Sequence, residues 1–252
     1  MTMLDDETRR KLRELNLEDF IDAIDAQSKD ISYSTMTFEE RLKMAVDHLY
    51  QSKNNKKVKR LIRMSKFRIP NAAVTSIYYP DRGLDKEKLL SLATCQFIDT
   101  NSSIVFQGFT GSGKTYLACA MGKQACISGI RTRYIRVPDL LILRDEATLK
   151  EQGITKLLKK FAGYKLLILD EWLMDDLSVE EQHFLYELIE RRYDCSSTIF
   201  CTQYQQVDWH ERLGGDVHAD AMMDRIVHNN VWVDAGQKNM RKFFGQQQME
   251  RQ

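Results

Sequence analysis

The sequence predicts an α/β protein in which a small all-helical region precedes a domain built on a central parallel β-sheet flanked by helices. From about residue 86 onward, short apolar runs rich in β-branched residues alternate with longer amphipathic stretches, which is the pattern of βαβ units. The predicted strands cover residues 104–106, 132–137, 166–169, 198–201 and 231–233. Before residue 70 the apolar residues instead recur at helical spacing.

Three helices are predicted in the first 69 residues. Apolar spacing predicts one over residues 4–26, and a second begins after Thr37, where Thr37 and Glu40 form a capping box, and continues to about Tyr50. The third covers residues 54–66 and ends before Pro70. Residues 70–86 contain two of the three prolines and a turn signal, so we expect a linker there. The predicted organisation is a helical domain over 1–69, this linker, and an α/β domain over 87–252.

Charge is distributed unevenly along the 252 residues, although the net charge is only +1. Residues 1–50 sum to −5, residues 51–80 to +8 and the remainder to −2. We call the eight cations of the second segment the basic block: Lys53, Lys56, Lys57, Lys59, Arg60, Arg63, Lys66 and Arg68. A block without acids is typical of contact with nucleic-acid phosphates, with weak sequence preference. An acidic patch on a protein partner is the alternative.

Several classes of protein are disfavoured. No apolar run reaches the length of a membrane helix, and the acidic N-terminus lacks an apolar signal core, so we expect a cytoplasmic protein without membrane partners. The five cysteines form no Cys-x-x-Cys pair and are predicted to be buried thiols. The five histidines show no zinc-ligand spacing.

Residues 108–115 match the phosphate-binding pattern G-x-x-x-x-G-K-[ST] and lie between a predicted strand and a predicted helix. In such a loop, main-chain N–H groups and the helix N-terminus surround phosphate oxygens. Lys114 is expected to reach the β- and γ-phosphates of ATP, and Thr115 to hold Mg²⁺. The residues predicted to contact the nucleotide are Gly108, Thr110, Gly111, Ser112, Gly113, Lys114, Thr115 and Tyr116.

A second motif follows the third predicted strand. Asp170 and Glu171 come directly after four apolar residues, at the strand end where open α/β sheets bind ligands. Asp170 is predicted to hold Mg²⁺ and Glu171 to activate the attacking water. The next strand ends at Thr202 and Gln203, either of which could lie near the γ-phosphate. Arg225 lies far from both motifs in sequence, and by itself such an arginine is usually a surface residue.

These motifs, together with Asp-Ala-Met-Met-Asp-Arg-Ile-Val-His-Asn (220–229), Lys-Phe-Arg-Ile-Pro (66–70) and Thr-Phe-Glu-Glu-Arg-Leu (37–42), resemble the IstB-like ATP-binding family. Its members are AAA+ ATPases that assist insertion-sequence transposition and are related to the helicase loader DnaC. The resemblance extends from about residue 35 to 242. It implies an AAA+ P-loop fold, with ATP and Mg²⁺ as ligands. It also implies a homo-oligomer assembled on DNA, expected to be duplex, and an integrase-type transposase as partner.

The resemblance also implies roles for single residues. Gln203 matches the sensor-1 position, and Arg225 matches the arginine offered to the nucleotide of a neighbouring subunit. Arg241 is the sensor-2 candidate, although residues 236–241 depart from the family pattern, and the neighbouring Lys242 could take its place. Glu171 stands where the family often has a second aspartate. Three alternatives remain at this point: a helicase loader, a nucleotide-gated DNA clamp with incidental hydrolysis, and a small-molecule kinase.

Overall fold

A computed structural model describes residues 4–227 and 230–249, and the chain divides into two compact units after Arg60. The division falls nine residues before the predicted boundary. Beyond Arg60, the side chains of Leu61 and Ile62 pack against the hydrophobic core of the second unit, and Phe67 is buried in that core. Burial of apolar side chains therefore attaches this part of the helical sequence to the second unit.

The first unit contains α1 (Asp6–Glu14), α2 (Glu18–Lys29) and most of α3 (Phe38–Ser65). The predicted single helix over 4–26 is wrong, because Asn16 adopts a left-handed backbone with φ of 57° and ends the first helix. Asp5 caps α1 by accepting a hydrogen bond from Thr8 N at 2.7 Å. Arg9 of α1 and Asp25 of α2 form a two-point ion pair that joins the two helices.

The long helix α3 begins at the predicted capping box. Thr37 N donates to the Glu40 carboxylate at 2.8 Å, and Glu40 N donates to Thr37 Oγ1 at 3.3 Å. The expected break between residues 50 and 54 does not occur, because residues 51–53 include neither glycine nor proline and propagation of an existing helix is favourable. The helix ends at Ser65, since Lys66 is left-handed with φ of 57°.

The second unit is built on a five-stranded sheet in which all described pairings are parallel, in the order β2-β3-β4-β1-β5. The strands are β1 (Ser103–Gln107), β2 (Thr132–Arg136), β3 (Leu166–Asp170), β4 (Ser197–Thr202) and β5 (Asn230–Asp234). The remaining helices are α4 (Lys86–Ala93), α5 (Gln96–Asp99), α6 (Lys114–Ile127), α7 (Val137–Thr148), α8 (Gly153–Ala162), α9 (Val179–Glu190), α10 (Gln206–Arg212), α11 (Val217–Val227) and α12 (Met240–Met249). All five predicted strands are confirmed.

Two apolar layers cover the sheet. One surrounds α6 and includes Cys119 and Cys126, both fully buried as predicted. The other contains Trp172 and Trp209, which pack against each other with ring centroids 6.0 Å apart. The prediction of buried thiols fails at Cys195, which is exposed in the turn before β4.

Residues 70–86 pack into the second unit, whereas the sequence predicted a linker. Ala72 and Ile77 belong to its hydrophobic core, and Arg82 is 3% exposed. Prolines and a turn signal specify an irregular backbone, but they do not reveal that the irregular segment lies against a core. This segment brings residues to the nucleotide site described below.

Among the described residues, no helix combines the length and apolar character needed to cross a bilayer.

Candidate nucleotide-binding site

The loop between β1 and α6 has the backbone conformation that a phosphate cradle requires. Gly108, Gly111 and Gly113 adopt positive φ values of 151°, 90° and 99°, which other residues adopt at a cost. A Cβ at Gly111 would lie 2.7 Å from the Asn239 side chain, and one at Gly113 would lie 2.9 Å from Arg82 Nη2. Ser112 Oγ is buried and has no hydrogen-bond partner in the described part of the chain. The loop therefore carries an unused polar group that suits a phosphate oxygen.

Lys114 closes onto this loop. Its Nζ donates to the carbonyl oxygens of Gly108 at 2.6 Å and Phe109 at 2.9 Å. Burial lowers the pKa of Lys114 below its ordinary value. A phosphate would offer this ammonium a charged partner in place of two neutral carbonyls.

Asp170 is the centre of a buried hydrogen-bond network at the carboxyl end of β3. One carboxylate oxygen accepts from Thr115 Oγ1 at 2.8 Å and from the Tyr134 hydroxyl at 2.7 Å. The other accepts from Glu171 N at 3.0 Å. Burial, followed by the neighbouring Asp170 charge, raises the pKa of Tyr134 well above its ordinary value, so Tyr134 remains a donor that fixes the carboxylate.

Oxygen donors at this edge fit Mg²⁺. The Thr115 hydroxyl and the Asp170 carboxylate lie side by side, and Mg²⁺ favours one or two protein oxygens completed by phosphates and water. Within the described ranges, no three His, Cys, Asp or Glu side chains cluster as a metal site would require. His228, one of the histidines considered for zinc, lies outside the described residues.

Glu171 follows in a left-handed conformation with φ of 59°, which is uncommon for a non-glycine residue and often marks a functional position. Its two carboxylate oxygens are held separately, one by Arg68 Nη1 at 3.0 Å and the other by Arg136 Nη1 at 3.4 Å. The side chain is 25% exposed, so solvent reaches the carboxylate.

A cavity of about 460 Å³ opens beside the phosphate loop. Lys114, Thr115 and Tyr116 line this cavity together with Arg241 from α12. The contact of Arg241 with a nucleotide stays a prediction. The remaining lining residues are Ile69, Ser76, Tyr78, Arg82, Gly111, Gly113, Met240, Phe244 and Gly245. The size, the aromatic lining and the cations suit a nucleoside with its phosphates.

Gln203 lies at the phosphate loop, since its Oε1 accepts from Thr110 Oγ1 at 3.0 Å. This contact exists because β4 is the neighbour of β1 in the sheet. The alternative, Thr202, is fully buried and directs its hydroxyl oxygen to Tyr204 N at 3.1 Å. Of the two, Gln203 is the residue that contacts the phosphate loop.

Arg225 of α11 is the predicted catalytic residue that does not join this group. It forms an ion pair with Glu190 of α9, and its guanidinium lies 5.6 Å and 5.8 Å from the ring centres of Tyr186 and Tyr193. Its contacts therefore form a separate cluster, outside the residues that line the phosphate cavity.

Comparison with known proteins decides the family. A model described as "IstB-like ATP binding protein" matches residues 10–248. The chain belongs to this family. An insertion sequence ATP-binding protein of Sinorhizobium fredii is 30% identical over 241 residues, covering 95% of this chain and 98% of the relative. An insertion sequence ATP-binding protein of Geobacillus stearothermophilus is 31% identical over 206 residues, covering 82% of this chain and 80% of the relative.

Similar solved structures show that the IstB-like chain contains the AAA+ P-loop fold. The DnaC helicase loader is similar with a TM-score of 0.55 and 25% identity, over 65% of this chain and 96% of that one. The replication initiator DnaA bound to AMPPCP and single-stranded DNA has a TM-score of 0.56 at 19% identity, over 72% of this chain and 55% of that one. The second likeness concerns the fold alone. The predicted family and fold class are confirmed.

Three residues at the site of this IstB-like protein were not predicted from the sequence: Arg82, Tyr134 and Arg136. Arg82 donates to the Ser112 carbonyl at 2.6 Å and the Ala235 carbonyl at 2.8 Å, which joins the expected linker to the phosphate loop and to the end of β5. Tyr134 and Arg136 belong to β2, and they reach Asp170 and Glu171 because β2 pairs with β3 in the register that sets Arg136 opposite Asp170. The order of the strands in the sheet cannot be read from the sequence. The contacts of Tyr134 and Arg136 could therefore not be predicted.

All eight cations of the basic block are exposed. In the part of the chain that the structure describes, two of them have carboxylate partners: Lys56 contacts Asp19 at 2.7 Å, and Arg68 contacts Glu171 at 3.0 Å. Counting charges along the sequence could not reveal these two ion pairs, because the partners are 37 and 103 residues apart in the chain. The DNA contacts themselves stay a prediction.

Proposed function

We propose that the protein is a Mg²⁺-dependent ATPase that assembles on DNA and assists the transposition of an insertion sequence. The observation that carries the ATPase proposal is the contact of Thr115 with Asp170 at 2.8 Å, with Glu171 adjacent and a cavity opening at Lys114. Two oxygen donors, a cation and a solvent-accessible carboxylate at one sheet edge are the groups that phosphoryl transfer to water requires.

Each of these residues has a distinct task. Lys114 exchanges its loop carbonyls for the β- and γ-phosphates, and the loop N–H groups with Ser112 Oγ bind phosphate oxygens. Thr115 and Asp170 would hold Mg²⁺, which when bound neutralises charge on the phosphates. Glu171 accepts a proton from the attacking water, and Gln203 positions the γ-phosphate. Arg241 contacts the nucleotide from the α12 side of the cavity.

A single substitution tests the ATPase proposal. Glu171→Gln keeps the size of the side chain but replaces one acceptor oxygen by an amide NH2 and removes the base, so we expect ATP binding to persist while turnover falls at least about 100-fold. Glu180→Gln is the matched control, because Glu180 is an exposed acid on α9 outside the site. Undiminished turnover in Glu171→Gln would refute the assignment of the base.

DNA binding and transposition form the second part of the proposal. Support comes from the relatives, whose names tie them to insertion sequences, and from the exposure of the whole basic block. We propose duplex DNA as the ligand and an integrase-type transposase as the partner that receives target DNA. Co-purification of this protein with the transposase encoded beside it, in the presence of ATP and duplex DNA, is the direct test; absence of a complex under these conditions contradicts this role.

Arg225 is proposed to act on the nucleotide of a neighbouring subunit, which makes the protein a homo-oligomer with shared active sites. Its separation from the cavity-lining residues of its own chain supports this role. Arg225→Ala should bind ATP but lose turnover, and mixing it with Lys114→Ala subunits should restore part of the activity. Failure of the mixture to recover any turnover would argue against action between subunits.

A helicase loader is the second candidate, favoured by the likeness to DnaC, which is 25% identical over 65% of this chain. This candidate predicts a stable complex with a replicative helicase and a preference for single-stranded DNA. Parallel binding measurements with the helicase and with the transposase distinguish the two functions.

A further inference from the structure

Arg82 is a buried cation beside the phosphate loop, and it has no task in the reaction proposed above. The residue is 3% exposed. Its guanidinium donates to the main-chain carbonyls of Tyr78 at 3.0 Å, Ser112 at 2.6 Å and Ala235 at 2.8 Å. Within the described residues it has no carboxylate partner, and its Nε is buried without a hydrogen-bond partner. Because an arginine stays protonated at neutral pH, its positive charge is not neutralised by the chain around it.

Arg192 shows how a structural arginine is held in the same unit. It is 2% exposed and donates from Nε to Thr198 Oγ1 at 3.0 Å and from Nη1 to the Tyr164 carbonyl at 2.7 Å. Its Nη2 donates to the carbonyl of Ser197, the first residue of β4, so all three nitrogens are bonded. It lies at the amino end of that strand and does not line the nucleotide cavity. Arg82 differs in both respects, since one nitrogen has no partner and the residue belongs to the cavity wall.

The contact with Ser112 fixes the orientation of a peptide group in the phosphate loop. In a planar trans peptide the carbonyl and the following N–H point in opposite directions, so a Ser112 carbonyl held towards Arg82 directs the Gly113 N–H away from it. Gly113 leaves room for this approach, since a Cβ there would lie 2.9 Å from Arg82 Nη2. The preceding peptide group is also held from outside the loop, because the Gly111 carbonyl accepts from Met240 N at 2.8 Å.

The main chain of Arg82 is anchored to two further parts of the unit. Its N–H donates to the Tyr79 carbonyl at 3.3 Å, and its carbonyl accepts from Gln237 N at 3.1 Å. Gln237 belongs to the connection between β5 and α12. Arg82 therefore joins the segment 70–86, the phosphate loop and this connection at one point, which gives its guanidinium a defined position.

We propose that Arg82 is a positioning residue for nucleotide binding: it orients the peptide between Ser112 and Gly113 towards a phosphate, and its positive charge takes the nucleotide's phosphates as counter-ion. The inference deepens the proposed ATPase function and rests on it. A buried guanidinium without an anion has lost solvation free energy that its hydrogen bonds to neutral carbonyls only partly offset. A polyphosphate beside the loop supplies the missing anion. Adenosine does not, so Arg82 should distinguish ligands by their phosphates.

Two substitutions separate the charge of Arg82 from the space that it fills. In Arg82→Gln, which removes the charge, ATP affinity of the whole chain should weaken at least about tenfold. In Arg82→Lys, which keeps the charge but loses the planar fork of donors, it should recover to within about threefold of the wild type. Adenosine affinity should stay within about twofold in both variants. Turnover at saturating ATP should fall less than about threefold, because Asp170 and Glu171 are unchanged.

Lys88→Gln is the matched control. Lys88 is a cation of α4 whose Nζ also donates to a main-chain carbonyl, that of Trp232 at 2.8 Å, and it does not line the cavity. Its removal should leave the affinities for ATP and for adenosine as in the wild type. Thermal unfolding of all variants shows whether they are folded. Should Arg82→Gln fail to fold, Arg82→Met is measured in its place, because it removes the same charge without burying an unpaired amide.

Three results would overturn the inference. Equal losses of ATP and adenosine affinity in Arg82→Gln would show that Arg82 only maintains the shape of the cavity. ATP affinity as weak in Arg82→Lys as in Arg82→Gln would show that its charge takes no part. ATP affinity unchanged in both variants would show that the loop is oriented without it. The ATPase proposal fails differently: a wild-type protein that binds ATP without hydrolysing it refutes that proposal, while the affinities still test Arg82.

Discussion

The nucleotide edge of the sheet and the basic stretch of α3 differ in how their charges are held. At the sheet edge, Asp170 is 2% exposed and accepts three hydrogen bonds from the surrounding chain. On α3, the five cations from Lys53 to Arg60 are exposed, and of these Lys56 has a carboxylate partner in the described structure. The first region is preorganised, whereas the second offers charges on long side chains that remain solvated.

This difference determines what a substitution should do in each region. A buried, hydrogen-bonded group acts through its position, so its replacement has a large effect that no neighbour can compensate. Exposed cations act together through the phosphate backbone, so each one contributes a small and salt-dependent part. If both regions bind phosphate as proposed, the nucleotide edge depends on individual residues, and the basic stretch of α3 depends on the summed charge of the basic block.

Lys114→Ala is expected to have the largest effect. Removing the ammonium leaves the phosphates without their main cation, so turnover should fall by about 10²–10³-fold and ATP binding should weaken. Radioactive phosphate release and nucleotide titration measure the two quantities. Lys123→Ala, a substitution of another lysine on α6 outside the cavity lining, is the control. Normal turnover in Lys114→Ala would remove the sheet edge from consideration as the active site.

The second-largest effect is expected at alkaline pH, on the stability contributed by the buried thiol of Cys119 in α6. Burial raises the pKa of the Cys119 thiol from 9.0 to about 11. The unfolded chain therefore ionises this thiol first, and the stability linked to it is complete below pH 9 and is lost as pH rises towards 11. Comparing the free energies of unfolding of wild type and Cys119→Ala should show a relative loss of up to about 3 kcal/mol in the wild type over this range.

Cys195→Ala is the control for that measurement, because Cys195 is exposed. Parallel pH profiles for wild type and Cys119→Ala would show that ionisation of this thiol does not contribute to alkaline unfolding.

Neutralising three cations of α3 should weaken DNA binding without affecting the nucleotide site. For Lys57, Lys59 and Arg60 replaced together by Ala, the slope of log affinity against log salt concentration should decrease by about 2.7 if each contacts one phosphate. ATP affinity should stay unchanged. Replacing Arg13, Lys29 and Lys43, which are exposed cations outside the basic block, removes the same charge. Equal losses of affinity in both triple variants would show that total charge matters and the block does not.

The ion pair of Lys56 with Asp19 should produce the smallest effect, in the opposite direction. Asp19 accepts two hydrogen bonds from Lys56 Nζ, at 2.9 Å and 2.7 Å, and this partner holds the pKa of Asp19 below its ordinary value. Asp19→Asn should release Lys56 for phosphate contact and raise DNA affinity by about twofold to threefold. Asp22→Asn removes a nearby exposed acid as the control. Weaker DNA binding in Asp19→Asn would show that the ion pair orders the helix for binding.

Much of the site follows from residues that are adjacent in sequence. The positions of Lys114 and Thr115 follow from the glycine pattern, and Asp170 and Glu171 follow from an apolar strand that ends in acids, because these relations are local. The roles of Tyr134, Arg136 and Arg82 could not be predicted, since each depends on strand order or on the packing of an irregular segment. The single helix expected over 4–26 failed for a local reason, the left-handed backbone at Asn16.

Four features follow from the amino-acid sequence alone: the alternation of strands and helices, the phosphate loop, the acidic strand end and the presence of the basic block. Local patterns suffice for these features because helical and strand periodicities, glycine conformations and charge counts are properties of short segments. Three other features depend on tertiary packing: Gln203 contacts Thr110, residues of the 70–86 segment line the cavity, and Arg68 contacts Glu171. These contacts join residues far apart in the chain, and the pairing order of parallel strands together with burial of apolar surface brings them into contact.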